Sequence, residues 1–195
     1  MKRSWTPDDE RTLIQLLKRL PQPWSYEMMH ALNRVIPMIG VESVILRKSG
    51  DSLEVLLTQR DATDLDWPGY WHVPGSTLRD TDVETNLESE ENFENPLFRV
   101  WTKELKLSFK QTQRLSAKKC DIILWRHARG ACVSTIFCCR GDGIEFPVGQ
   151  FFPVDDLPEP FLGGQKVVIM AAVRFYLANR KRGRRWLSQL LSVFT

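Results

Sequence analysis

Metal-binding side chains of the soft kind are scarce in this chain. It has three histidines, His30, His72 and His127, and four cysteines, Cys120, Cys132, Cys138 and Cys139, with no C-x-x-C spacing. A zinc centre needs such ligands at short intervals, so their scarcity argues against one. The cysteines lie in or beside apolar runs, which predicts reduced thiols buried in strands. No run of about 18 apolar residues exists, so no transmembrane segment is expected. The first residues, Met1 to Asp8, turn acidic where a signal peptide would turn apolar, and a cytoplasmic location is the expectation. Repeats and low-complexity tracts are also missing. At 195 residues with 43% hydrophobic content, one well-packed domain with additions is expected.

What is present is strongly polarised charge. Between Asp80 and Glu94 there are seven acids and no Lys or Arg, so with a net charge of +3 the rest of the chain carries +10. At the other end Arg180-Lys181-Arg182-Gly183-Arg184-Arg185 precedes the amphipathic run Trp186 to Phe194. Such a tail can pack on the N-terminal helices or on a second subunit of a homodimer, dock on an anionic membrane surface, or contact nucleic acid.

The pattern predicts helices at both ends of a mixed sheet. Thr6 as cap, Pro7 at the first position and Asp8, Asp9 and Glu10 in the first turn start a helix whose apolar stripe is Leu13, Ile14, Leu16, Leu17 and Leu20. Ser25 caps a second helix that stops before Pro37. Strands follow at 41–46 and 53–58 around a turn at 48–52, and a short one at 71–73 ends at Pro74-Gly75. After the acidic stretch Asn95-Pro96 opens a helix carrying Leu97, Phe98, Trp101 and Leu105 to about Leu107. A hairpin of strands 121–126 and 131–139, an extended stretch 149–153 and a closing helix 165–179 complete an α+β, α/β/α sandwich. The expected division is 1–38 as an N-terminal helical extension, 39–179 as the main domain and 180–195 as the basic tail.

Trp71-His72-Val73-Pro74-Gly75-Ser76, then Arg99-Val100-Trp101-Thr102-Lys103-Glu104-Leu105 on a helix, then Phe152-Pro153-Val154-Asp155-Asp156-Leu157-Pro158 before a closing helix, resemble the Nudix hydrolase superfamily over roughly residues 41–179. The resemblance implies a loop-helix-loop that holds a divalent metal and cleaves diphosphates linked to a second moiety. Set against that signature, Ser76 stands at its glycine, Asp82 at its first glutamate, and Arg99 at its arginine once the loop is about nine residues longer. Val100, Lys103 and Glu104 then stand at the three helix glutamates, and Lys106 at the last glycine.

Residues 100, 103 and 104 lie at i, i+3 and i+4 and so share one helical face. Their formal charge is zero where three carboxylates would give −3. At an effective dielectric of ~20 a unit charge about 4 Å from another is worth about 4 kcal/mol, so Lys103 opposes a dication strongly. Counting from Ser76 without a gap instead puts the helix acids at Glu91, Glu94 and Asn95, which would place Pro96 inside the helix. Glu145 resembles the late glutamate that some family members use as ligand or base. Gln59-Arg60 and the aromatic residues Trp67, Tyr70 and Trp71 border the region that is the substrate cleft in relatives.

The site expected from these readings has Glu104, Arg99 and Glu145 as catalytic residues. Arg60, Trp71, Gly75 and Lys103 bind substrate, and Glu104, Glu91 and Glu94 are candidate metal ligands. Its cofactor would be Mg2+ or Mn2+ if the chain is active, and none otherwise. Three functions compete: a Nudix-fold protein binding a nucleoside diphosphate-linked ligand or a partner with weak or no hydrolysis, an active divergent pyrophosphohydrolase, and a nucleic-acid-associated module using Arg180 to Arg185.

Overall fold

The computed structural model describes residues 5–20, 25–79, 82, 94–127 and 129–179. Helix α1 (Pro7–Leu17) begins as the sequence predicts, with Thr6 accepting from the Asp9 N–H and Asp9 accepting from the Thr6 N–H. Its apolar stripe, expected to face a core, buries no residue. Helix α2 (Tyr26–Asn33) is capped by Ser25.

Strands β1 (Met38–Ser49) and β2 (Ser52–Gln59) form the first hairpin, longer than their apolar cores suggest. Strands β3 (Trp71–His72) and β4 (Gly75–Thr77) are short; Pro74-Gly75, expected to end the strand at 71–73, does separate them, but β4 beyond it has no counterpart in the sequence pattern. Helix α3 (Glu94–Arg99) runs into one π-helical turn, Val100–Glu104. A capped turn, α4 (Phe109–Thr112), leads to β5 (Ser116–His127) and β6 (Gly130–Arg140), and β7 (Gln150–Pro153) and α5 (Lys166–Ala178) close the described chain.

The sheet runs β3-β2-β1-β6-β5, with β4 on β1 and β7 on β2. Among the described strands β1 and β6 pair in parallel and the others antiparallel, so the sheet is mixed. Period-2 alternation gives β1 two apolar faces. Val44 and Leu46 pack with Val55, Leu57 and Ile136 under Val168, Ile169, Ala172 and Val173 of α5. Val41 and Ile45 pack with Leu56 and Phe137 under Leu97, Val100, Trp101 and Leu105. The chain is therefore a Nudix-like α/β/α sandwich with two added N-terminal helices. The basic tail expected at 180–195 lies outside the described residues.

The four cysteines are unpaired thiols. Burial pushes Cys138 and Cys139 up to about 12, so both stay protonated near neutrality.

Two residues past the π turn, at Lys106, the backbone takes φ 56, the left-handed region that favours glycine. Its side chain is exposed. Lys106→Gly is expected to raise stability by about 0.5–1 kcal/mol. Urea unfolding checks this, and an unchanged or lowered midpoint contradicts it.

Candidate functional site

β1 and β2 pair only from Leu46 to Ser49 against Ser52 to Val55, then diverge. The first half of β1 takes β4 as its neighbour (Glu42 opposite Gly75), and the end of β2 takes β3 (Thr58 opposite His72). The gap so opened is a cleft of about 510 Å³, a size suited to a nucleotide-sized molecule. Its floor comes from β1, β4 and the π turn, and its far end from the 60–67 loop and the β5–β6 turn. Met29 of α2 closes one side.

Glu42 is the central group of the floor. It belongs to the α5-facing row of β1, where the apolar pattern calls for a hydrophobic residue, and it is buried. Two side chains fix it. The Ser134 hydroxyl donates to its Oε1 at 3.2 Å while accepting from Trp125 Nε1 at 2.9 Å. Gln165 Nε2 lies 3.5 Å from its Oε2, and Gln165 Oε1 accepts from the Val73 N–H at 2.7 Å.

Glu104 reaches the same place from the opposite layer and accepts the N–H of Gly75. The two carboxylates therefore lie against the same glycine. Burial, chiefly, pushes both up to about 7; Glu104 adds to the rise at Glu42, while Ser134 at Glu42 and Gly75 at Glu104 pull the other way.

Gly75 is needed here for space. A Cβ on it would collide with the Glu42 carboxylate and lie 2.9 Å from the Val41 carbonyl oxygen. The carboxylate can swing aside, but the carbonyl belongs to the central strand. Gly75→Ala is expected to cost about 2 kcal/mol and to keep most of that cost in a Glu42→Ala background. Thermal unfolding of both variants tests this; full relief by Glu42→Ala would mean that only the carboxylate is displaced.

The far end is an ion-pair network. Asp64 accepts from Arg60 Nη1 at 2.7 Å and from Arg129 Nη2 at 3.2 Å, and Arg129 Nε also pairs with Asp66. Asp66 lies 3.5 Å from His30 of α2. Both guanidinium groups lie over the Trp67 ring, at 5.3 Å for Arg60 and 4.8 Å for Arg129. Burial would raise the Asp64 carboxyl, but the Trp67 N–H, Arg60 and the Asp66 N–H outweigh it and hold it well below the usual carboxylate range. Arg60 Nε is buried and has no hydrogen-bond partner among the described residues.

His72 is part of the wall. Nδ1 donates to the Val73 carbonyl oxygen at 2.9 Å and Nε2 accepts from the Thr58 hydroxyl at 3.1 Å, the roles assigned from the partners. Burial, with help from Arg60, lowers it to about 4, so the ring is neutral.

Of the residues expected from sequence, the structure brings Glu104, Arg60 and Gly75 to the cleft. Arg99 stands behind it: it pairs with Asp82, donates to the Thr77 carbonyl oxygen at 2.8 Å and lies 3.3 Å from Ser76 Oγ, so it ties β4 to α3. Trp71 packs edge-on against Phe152 at 4.9 Å, and Lys103 and Glu145 are exposed; none of these three lines the cleft. Glu91 and the side chain of Glu94 lie outside the described residues.

Sequence reasoning missed Glu42, Asp64, Arg129 and Gln165. An acid inside the run Ile39 to Leu46 was the one available signal. Among the described residues no group of three His, Cys, Asp or Glu could hold a metal ion, and no helix is long and apolar enough to cross a membrane.

No family model matches the sequence, and no curated protein does. Solved structures do match. The Nudix domain of Shewanella oneidensis NrtR, complexed with ADP ribose, is 16% identical over 84% of this chain and 97% of its own, with a TM-score of 0.52. NrtR complexed with a 27mer DNA is 17% identical over 72% of this chain, TM-score 0.52, and the chain spans 62% of its length. A mutT/nudix family protein from Listeria innocua is 18% identical over 73% of this chain and 96% of its own, TM-score 0.52. At such identities the likeness is one of fold.

Proposed function

We propose that this Nudix-fold chain binds a nucleoside diphosphate-linked ligand together with a divalent cation, with weak or no hydrolysis. The observation that carries the reading is the pair Glu42 and Glu104, set against Gly75 in one cleft. The cleft lining holds four carboxylates, Glu42, Asp61, Asp64 and Glu104, and two guanidinium groups, Arg60 and Arg129, a formal charge of −2 when all are ionised. Above about pH 7, with both glutamates ionised, a bare diphosphate would be repelled by that floor. One dication balances it.

The donor set fits such an ion in one manner only. Mg2+ accepts one or two carboxylates and completes its octahedron with water and phosphate oxygens. Glu42 and Glu104 supply that minimum, and nothing beside them makes a closed cage. The cation would neutralise phosphate charge in the cleft. Arg60 lines the other end of the cleft, where its guanidinium group can donate to a phosphate oxygen.

Weak hydrolysis follows from the helix. Pairing of Arg99 with Asp82 supports the register in which these are the signature's arginine and first acid. In that register Val100 is core and Lys103 is solvent-exposed, so two of three helix carboxylates are gone and the signature is degenerate. Glu42 compensates part of their charge from another strand, which also favours a second reading, a divergent pyrophosphohydrolase with Glu104 retained. The ADP ribose bound by the NrtR Nudix domain suggests the first ligand to try. The residue divisions 1–38, 39–179 and 180–195 and a nucleic-acid role for the tail remain proposals of the sequence.

Calorimetry with ADP ribose, other nucleoside diphosphate sugars, dinucleotides and nucleoside triphosphates tests this, with and without Mg2+. Binding should require Mg2+ and weaken at least about tenfold in Glu42→Gln or Glu104→Gln, a loss of ~1.4 kcal/mol. Equal binding without metal and in both variants defeats the reading. Fast metal-dependent turnover that Glu104→Gln abolishes transfers it to the hydrolase.

A further inference from the structure

Helix α1 satisfies its own N-terminus and leaves its side unpartnered. Leu13 and Ile14 are each 43% exposed, Leu16 60% and Leu17 40%. At 3.6 residues per turn Leu13, Leu16 and Leu17 fall on one stripe with Ile14 at its margin. Helices under about 12 residues are marginal in water without tertiary packing, and α1 has 11. Its length and apolar stripe therefore call for a covering surface that no described element provides.

The charges along α1 say what that surface is. Asp8, Asp9 and Glu10 occupy the first turn, where Asp8 pairs with Arg11 and Asp9 caps the helix through Thr6, and Lys18 and Arg19 follow the last turn. All five are exposed or partly exposed. A helix so polarised is complementary to itself in one orientation. Antiparallel, the acidic first turn, through Glu10 above all, meets the basic end of the partner helix and the two helix dipoles oppose; parallel, like charges meet.

The geometry points to α1 of a second copy of this chain as the occupant, an antiparallel two-helix contact about a twofold axis. The contact is small. A helix of 11 residues is about 16 Å long, and two of them bury well under the ~1,200 Å² of a standard interface. Association is accordingly weak, half-complete on the order of 100 µM. The cleft takes no residue from α1, so this contact and the ligand reading stand or fall separately.

Sedimentation equilibrium of the full chain from about 10 to about 500 µM reads the contact directly. A monomer–dimer equilibrium is expected, weakened at least about tenfold by Leu13→Glu with Leu17→Glu. Glu10→Lys alone should weaken it by about fivefold, and adding Lys18→Glu should restore it to within about twofold. Because these side chains are exposed, the variants keep the fold. A monomer throughout the range overturns the inference, as does a dimer indifferent to the α1 variants or a Glu10→Lys defect that Lys18→Glu does not repair.

Discussion

Val100→Glu, which in the proposed register would put an acid at a signature position of the helix, is expected to unfold the protein instead of activating it. Val100 is fully buried between Val41, Ile45 and Leu56 of the sheet and Leu97, Trp101 and Leu105 of its own helix. A carboxylate there would lose its water and find no cation, since the charged floor of the cleft is made by other residues. Burying an unpaired charge lies at the extreme of single-residue effects, so a loss above about 4 kcal/mol is expected. For a domain of this size that is a large part of the whole stability.

The measurement is urea unfolding at pH 7, with Val100→Ala as the control for lost packing. The control should cost about 2–3 kcal/mol, as a cavity does. A folded Val100→Glu variant with stability near that of the wild type would show that position 100 can turn into the cleft. The π turn makes that turning costly. Trp101 Nε1 donates to Ser43 Oγ at 2.9 Å, and the Leu105 N–H reaches back five residues to the Val100 carbonyl at 3.1 Å. Together these bonds hold Val100 toward the sheet and Glu104 toward Gly75.

The same residues show how far the sequence could be read. Caps and prolines announced α1 and α2, and alternation announced the long strands, because local chemistry alone sets those elements. The motif aligned Asp82 and Arg99 with two separate positions of the signature and did not foretell their ion pair, which joins residues 17 apart in the chain. β4 was hidden because three residues of strand leave no period to detect, and its partner lies far back on β1. The π turn was hidden for a related reason: one extra residue in a helical turn changes which side chains face the cleft without changing the composition.

Glu42 was the largest omission, and its cause is physical. Within an apolar strand a single acid looks like an edge or a solvated position, and burial becomes evident only when Ser134, Gln165 and Gly75 arrive from β6, the start of α5 and β4. Asp64 and Arg129 are likewise ordinary loop charges until the β5–β6 turn meets the loop after β2. The elements were readable from local signals, while the cleft is made by contacts between them.

Those contacts give the second large effect, a stability that falls as the solution becomes alkaline. Glu42 and Glu104 are both pushed from the ordinary 4.5 up to about 7, chiefly by burial. A group that holds its proton more tightly when folded contributes stability that is complete below about pH 4.5 and lost as the pH rises through 7. Because the two carboxylates are neighbours, the pair titrates as a unit, and roughly 2–4 kcal/mol should disappear between pH 5 and pH 8 in metal-free buffer. Glu42→Gln should flatten this dependence and make the variant more stable than the wild type at pH 8, since the amide keeps hydrogen-bonding capacity toward Ser134 and Gln165 without the charge. A dication acts in the opposite sense, favouring the ionised pair. At pH 8, Mg2+ at about ten times its dissociation constant should return about 1.4 kcal/mol to the wild type and nothing to the variant. Urea midpoints at pH 5 and pH 8, with EDTA and with Mg2+, decide the matter: equal wild-type midpoints in all four conditions would mean that the two glutamates neither share a dry floor nor accept a cation.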